Sequence, residues 1–488
     1  MCASAILIKC LFASASRRST ETMGHASFLE HVLQSLRQRT MSMSPRDRTT
    51  CALITLYVFA AHANNFPQWR GPDGQGHAVA SGLPQSWSET ENVAWKTSIP
   101  GRGFSSPVIE GKQIWITTAF ETPAKPEAAQ QRLKANTGNQ PVTVLEEVRF
   151  HAICLDRDSG RIVHDLPVLT EREPQWVHEQ NSYASPTPVI EEGRLYGHFG
   201  ASGTVCVDAR AGRVLWTNAS LRVNHENGPG SSLMLWKDLV IFHLDGSDEQ
   251  YIAALDKRTG KLAWKTARTG KMSANGQMRK SYGTPLAVDI AGRTQLVSPA
   301  ADWLYFYDPA NGRELTKLSY GAQGFSIAPR PVAGHGMIFM STAFLKPEML
   351  AIRYDSAAGP TIEWRSKRGA PNVPSPLLVG DELYFVSDSG GIVTCLDAKT
   401  GQENYSERLG GNFYASPLYA DGKLIFVGRE GATSLVAPGK TFKQLAKNQL
   451  DGKFFASPVA VDNALFLRSD QALYRIEKKG GSPSNASP

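Results

Sequence analysis

Short apolar runs of Val, Ile, Leu, Phe and Tyr recur from about residue 92 to residue 477, with Gly, Asp or Asn at nearly every break. Runs of this length, bounded by turn formers, predict β-strands rather than helices. The runs come in sets. Ala415-Ser416-Pro417 leads into the strand ending at Val427, Ala456-Ser457-Pro458 follows 41 residues later, and Val373-Pro374-Ser375-Pro376 precedes it by the same interval. The opening recurs at Ser106-Pro107, Pro186-Thr187-Pro188, Thr284-Pro285 and Arg330-Pro331, with a weaker version at Gly230-Ser231-Ser232-Leu233, eight in all.

Most openings lead to a second signature, an Asp with a Gly four residues on and an aromatic four further. Asp208/Gly212/Trp216 and Asp256/Gly260/Trp264 match fully, and Asp397/Gly401/Tyr405 substitutes Tyr. Asp156/Gly160/His164 and Asp308/Gly312/Thr316 vary the last position, while Asp355/Gly359/Trp364 is one residue longer. Asp accepts hydrogen bonds from its own turn and Gly takes the positive φ of a tight hairpin. Trp216, Trp264 and Trp364 are then expected to fill gaps between neighbouring units, as is Trp95. Four short strands per repeat predict an all-β fold, an eight-bladed β-propeller of four-stranded antiparallel blades. The last set lacks an outer strand, and residues 92–97, which contain Trp95, are expected to supply it and close the ring. One unit carries an insertion, 121–147, whose 126–136 portion reads as a short surface helix.

Residues 46–64 read as a secretory signal: Arg46 and Arg48, an apolar stretch from Cys51 to Ala61, and a cleavage site at Ala61-His62-Ala63. At 11 residues the apolar stretch is too short for a bilayer, which takes about 20. The expected organisation is a leader over 1–63 with the signal peptide at 41–63 and an upstream start of doubtful assignment. An N-terminal extension at 64–91, the propeller at 92–479 and a tail at 480–488 follow. Export to the periplasm or medium is the corresponding location. The chain carries +7, and removing a leader of net +4 leaves +3, with no basic stripe to suit nucleic acid. Cys154, Cys206 and Cys395 remain after cleavage, an odd number at equivalent repeat positions, which reads as three small buried hydrophobes.

The Asp-x-x-x-Gly-x-x-x-Trp units resemble the tryptophan-docking repeats of pyrroloquinoline-quinone propellers, and most closely the exported, non-dehydrogenase repeat proteins that include the BamB subunit of outer-membrane barrel assembly. Trp69-Arg70-Gly71-Pro72-Asp73-Gly74-x-Gly76 and Asn181–Pro188 look like an exported bacterial subfamily of these. The resemblance implies either a binding or scaffold propeller for a protein partner or small ligand, or a quinone- and Ca²⁺-dependent dehydrogenase of alcohols or sugars. Against the second, there is no Cys-Cys pair and no Cys-x-x-Cys-His haem motif. Residues just before each opening should face the central funnel, which makes Arg102, His178, Glu179, Asn181, Tyr183, His225, Glu226, Lys280, Tyr282, Arg330 and Asn412 the candidate ligand-binding set. Two His-Glu pairs, 178–179 and 225–226, could hold a cation, but two histidines alone do not specify a metal. Polar groups bonded to loop backbone account for most such positions.

Overall fold

A computed structural model describes residues 65–478 except 137, 139, 322, 323 and 356–358. The leader and its cleavage site, Asn64 and the tail lie outside the described residues. Eight four-stranded sheets follow one another along the chain, all antiparallel. Blade 1 is Val108–Glu110, Gln113–Pro123, Leu145–Asp156 and Ile162–Arg172. Blades 2 to 7 begin at Val189, Met234, Leu286, Val332, Leu377 and Leu418. Blade 8 takes three strands from Val459–Ile476 and its outer strand from Val93–Ser98, which pairs with Ala472–Ile476. The ring is therefore closed by an N-terminal strand, which covers the edge that Ala472–Ile476 would otherwise leave open.

The seams between blades repeat one lock. Trp216 of blade 2 donates its indole N–H to Lys257 O in the turn of blade 3, and Asn218 donates to Gly260 O beside it. Trp264 and Thr266 do the same to Pro309 O and Gly312 O of blade 4, and Trp364 reaches Ala398 O of blade 6. Trp95 and Thr97, on the closing strand, reach Arg157 O and Gly160 O of blade 1. The glycine is required twice over: Gly260 sits at φ +71°, and a Cβ there would stand 2.5 Å from the Trp216 ring. The turn aspartates cap their own hairpins, Asp256 accepting from the N–H groups of Arg258 and Thr259.

The apolar core is correspondingly divided into slabs between blades. Tyr196 and Cys206 of blade 2, for instance, pack with Val240, Phe242 and Tyr251 of blade 3. Cys154, Cys206 and Cys395 are free thiols buried in these slabs. In blade 1 the insertion first prolongs the hairpin, Gln113–Pro123 pairing with Leu145–Asp156, and then forms the helix Pro126–Leu133, which buries none of its residues. Its far end, Val142–Thr143, pairs with Val177–His178. That two-stranded ribbon fixes the segment leading into blade 2.

Candidate functional site

The blade openings meet at the centre through a ring of hydrogen bonds. Ser106 N–H donates to Thr187 Oγ1, Thr187 N–H to Ser232 Oγ, and Ser232 N–H to Thr284 Oγ1. Arg330 N–H donates to Ser375 Oγ, Ser375 N–H to Ser416 Oγ, Ser416 N–H to Ser457 Oγ, and Ser457 N–H back to Ser106 Oγ. Each hydroxyl accepts the backbone of the preceding blade, so the Ser or Thr before each inner strand is a joint between units. The ring is interrupted only where Arg330 replaces the hydroxyl.

The N-terminal segment crosses the axis beneath this ring. Phe66 bridges to Ile109 of blade 1 and Pro67 O accepts from Ile190 of blade 2, while Arg70 Nη2 donates to Pro376 O of blade 6, on the opposite side. Arg330 donates to Trp69 O and to Pro285 O. Gly74 lies against it at φ +69°, where a Cβ would meet Arg330 Nη1 at 2.3 Å. Arg70 and Arg330 are both buried; desolvation pulls their pKa values down to about 9 and about 10, with Arg330 adding repulsion on Arg70. This packing makes the propeller centre a blind funnel, with Trp69 at its floor donating Nε1–H to Ser457 Oγ.

Above the floor is a cavity of about 340 Å³ with two unlike walls. Over blades 7, 8 and 1 it is aromatic. Phe104 and Phe455 stack with ring centroids 4.0 Å apart and planes 14° from parallel, and Tyr414 meets Phe455 edge-on at 5.4 Å. Arg429 covers the outer side of Tyr414 and Phe455, and Arg102 that of Phe104. The other wall, over blades 2 to 6, consists chiefly of His178, Asn181, Asn227, Tyr282, Ser326 and Asn372. Tyr414 Oη donates to Gln180 Oε1 at 2.6 Å, tying the two walls together. Not one Asp, Glu, Lys or Arg lines the cavity.

The structure divides the sequence-predicted set. His178, Asn181 and Tyr282 line the cavity. Burial lowers the His178 pKa against the opposing effect of Glu179, and its Nδ1 accepts Gln180 N–H, which leaves the proton on Nε2. Asn181 is spent on Asn227 O and Pro229 O, and Tyr282 donates to His225 O. Arg102, Glu179 and Asn412 lie outside the lining: Arg102 bonds Glu179 O, and Asn412 donates to Glu430. Tyr183 faces away into the seam of blades 1 and 2 and donates to Gln175 O, because its phenol had a carbonyl to reach there. His225, Glu226 and Lys280 are buried behind the wall. His225 accepts Ala201 N–H, Glu226 accepts from Asn224 and Ser247, and Lys280 donates to Gln277, its pKa drawn down by burial to about 8. Arg330 belongs to the underside of the floor rather than to the mouth.

Sequence reasoning did not place Trp69 or Asn372 at the funnel. Asn372 binds Asp388 through its amide N–H, while its buried Oδ1 has no partner. Its signal was the equivalence of position, a residue shortly before an opening. A quinone cofactor tests poorly against this wall. Pyrroloquinoline quinone is a tricarboxylate, and its calcium needs oxygen ligands of negative charge. The cavity lining offers neither cations for the first nor carboxylates for the second, and no group of three His, Cys, Asp or Glu suited to a metal occurs among the described residues.

Comparison with known proteins gives one family and a set of structural likenesses. The family model "Outer membrane protein assembly factor BamB" matches residues 78–234, 248–418 and 352–446, well over half of the chain. No curated protein matches the sequence. Among solved structures, BamB from Moraxella catarrhalis is 12% identical, covering 74% of this chain and 98% of that one at TM-score 0.47. A europium-containing methanol dehydrogenase is 11% identical over 86% and 92% at 0.49. The computationally designed Ika8 protein is 11% identical over 81% and 100% at 0.51, a likeness of fold alone.

Proposed function

The chain belongs to the BamB-type family of quinoprotein-like propeller repeat proteins, and from that premise we propose that it is an exported binding propeller whose blind funnel recognises a small uncharged ligand without covalent chemistry. The observation that carries this reading is the charge-free lining of a cavity of about 340 Å³, apolar on one side and hydrogen-bonding on the other. Pockets of roughly 300–1,000 Å³ with a few placed polar groups are the usual form of a ligand site. The lining offers no carboxylate, ammonium or guanidinium to hold a charged ligand, which supports recognition of an uncharged one. No helix among the described residues is long and apolar enough to cross a membrane.

A second reading, a protein partner docking on the same face, has one observation in its favour besides the family description. Phe344 and Leu345 stand 51% and 63% exposed on the funnel rim, with Leu345 at φ +80°. The experiment compares the full chain with Ala328→Trp, which puts an indole into the cavity that Ala328 lines, by thermal shift and titration. The panel holds neutral, anionic and cationic small molecules, with pyrroloquinoline quinone and Ca²⁺ among them. Binding of neutral compounds that Ala328→Trp abolishes is the expected result. Saturable quinone binding with dye reduction would overturn it.

A further inference from the structure

The hydrogen-bonding inventory of the funnel narrows the ligand further, on the strength of the funnel reading above. Four hydroxyls of the central ring, those of Ser106, Thr187, Ser232 and Ser457, line the cavity. Each accepts a backbone N–H, and among the described residues none of their own hydrogens has an acceptor. These O–H hydrogens are therefore free to be donated to a group at the cavity floor. His178 Nε2–H adds a donor at the wall. In the opposite sense, Asn372 Oδ1 is a buried acceptor with no donor. Leaving such groups unmatched in a filled site costs about 1–3 kcal/mol each, so a ligand that fits supplies both acceptors and donors.

That requirement excludes most chemistries. A carboxylate accepts but does not donate, and neither a carboxylate nor a phosphate finds a cation in the lining. An ammonium donates but faces the O–H groups of the floor. A hydrocarbon satisfies the aromatic arc and strands the hydroxyls and the amide. An uncharged ring carrying several hydroxyls meets every condition: its O–H groups donate and accept, and its C–H face lies against Phe104, Phe455 or Tyr414. We infer that the funnel is a binding site for a neutral saccharide unit, its apolar face on the aromatic arc of blades 7, 8 and 1 and its hydroxyls directed to the floor and to Asn372.

The test is calorimetric titration and saturation-transfer NMR of the full chain. The panel comprises glucose, galactose, N-acetylglucosamine, maltose and cellobiose, with glucuronate and galacturonate as charged analogues and indole as an apolar control. At least one neutral saccharide is expected to bind. Its uronic acid should bind about tenfold or more weakly, since tenfold corresponds to about 1.4 kcal/mol. Phe455→Ala and Asn372→Ala should each weaken binding by about fivefold or more, measured well below each variant's own melting temperature so that every chain is folded, and Ala328→Trp should abolish it. Binding of indole that Ala328→Trp blocks, with no saccharide bound, would overturn the saccharide assignment and leave the funnel reading standing. Saccharide binding that survives Ala328→Trp would place the site elsewhere and overturn the assignment. Failure of every compound in the panel would overturn the saccharide assignment, and quinone bound with Ca²⁺ in the titration above would remove the funnel reading as well.

Discussion

Lowering the pH from 7.5 to 5.0 is expected to destabilise this propeller steeply, because three histidines are folded into it uncharged. His198 is buried in blade 2, His243 in blade 3, and His225 in the loop between them. Burial lowers the His198 pKa to about 3, with His225 adding to the effect, and the His225 pKa to about 4 against the pull of Asp248. Burial and then Arg268 push His243 well below its ordinary value. An unfolded histidine titrates near 6.5. Above that pH both states are neutral and the full stability is present. As the pH falls, the unfolded chain binds protons that the folded chain refuses, so stability is lost down to the folded pKa values. At pH 5.0, about 1.5 units below the unfolded value, His198 and His225 each account for about 2 kcal/mol, about 4 together, and His243 adds in the same direction. Domains are typically stable by only about 5–15 kcal/mol. Glu121, Asp302 and Asp388, whose carboxyls burial holds above their ordinary range, act in the opposite direction. The assay is urea unfolding followed by tryptophan fluorescence at both pH values and constant ionic strength, for the parent and for the double variant His198→Asn/His243→Gln. The variant should lose at least about 2 kcal/mol less between the two pH values, the part that His198 supplies. An equal loss in parent and variant would refute the assignment of the pH dependence to these histidines.

Four further outcomes follow from contacts described above. Gly260→Ala, at φ +71° and 2.5 Å from the Trp216 ring, is expected to cost about 2–3 kcal/mol. The same change at Gly292, where nothing lies within 4 Å, should cost less, as melting temperatures will show. Ser416→Ala removes the acceptor of the buried Ser375 N–H and should cost about 1–3 kcal/mol in urea unfolding, whereas Ser416→Thr should recover most of it. Cys154, Cys206 and Cys395, whose thiols burial pushes up to about 12, about 12 and about 11, should resist iodoacetamide at pH 8 until the chain is unfolded. Arg330→Ser offers Thr284 N–H a hydroxyl but forfeits the bonds to Trp69 O and Pro285 O, so residues 65–77 should become open to proteolysis and to hydrogen exchange.

The blade repeat was legible because its parts act locally. An Asp that caps its own turn, a Gly at positive φ and a Trp eight residues beyond the Asp have fixed spacing; the seam lock of Trp216 and Trp264 uses that spacing directly, and that of Trp364 uses it one residue longer. Closure through Trp95 followed from the same signature displaced to the other end of the chain. The funnel was less legible because proximity to the axis does not decide which way a side chain turns. Tyr183 and Tyr282 occupy similar positions before their blades, yet one enters a seam to reach Gln175 O and the other lines the cavity while bonding His225 O. The stacked pair Phe104 and Phe455 comes from opposite ends of the sequence and became neighbours only through ring closure.

The Ser and Thr residues of the openings show why a structural role does not exhaust a residue's chemistry. Read along the chain, Ser-Pro before a strand is a strand-start signal, and no His and Asp accompany it to suggest a nucleophile. In the ring, each hydroxyl oxygen is taken up as an acceptor for the blade before it, while its hydrogen is left over. Repetition then does what no single residue could: it sets several unengaged donors around one axis, at the floor of a cavity whose walls carry no charge. Arg330 breaks the series at blade 5, and there the chain anchors the segment that closes the floor. On the proposed reading, the joint that holds the blades together also selects the ligand: oxygen-rich and uncharged.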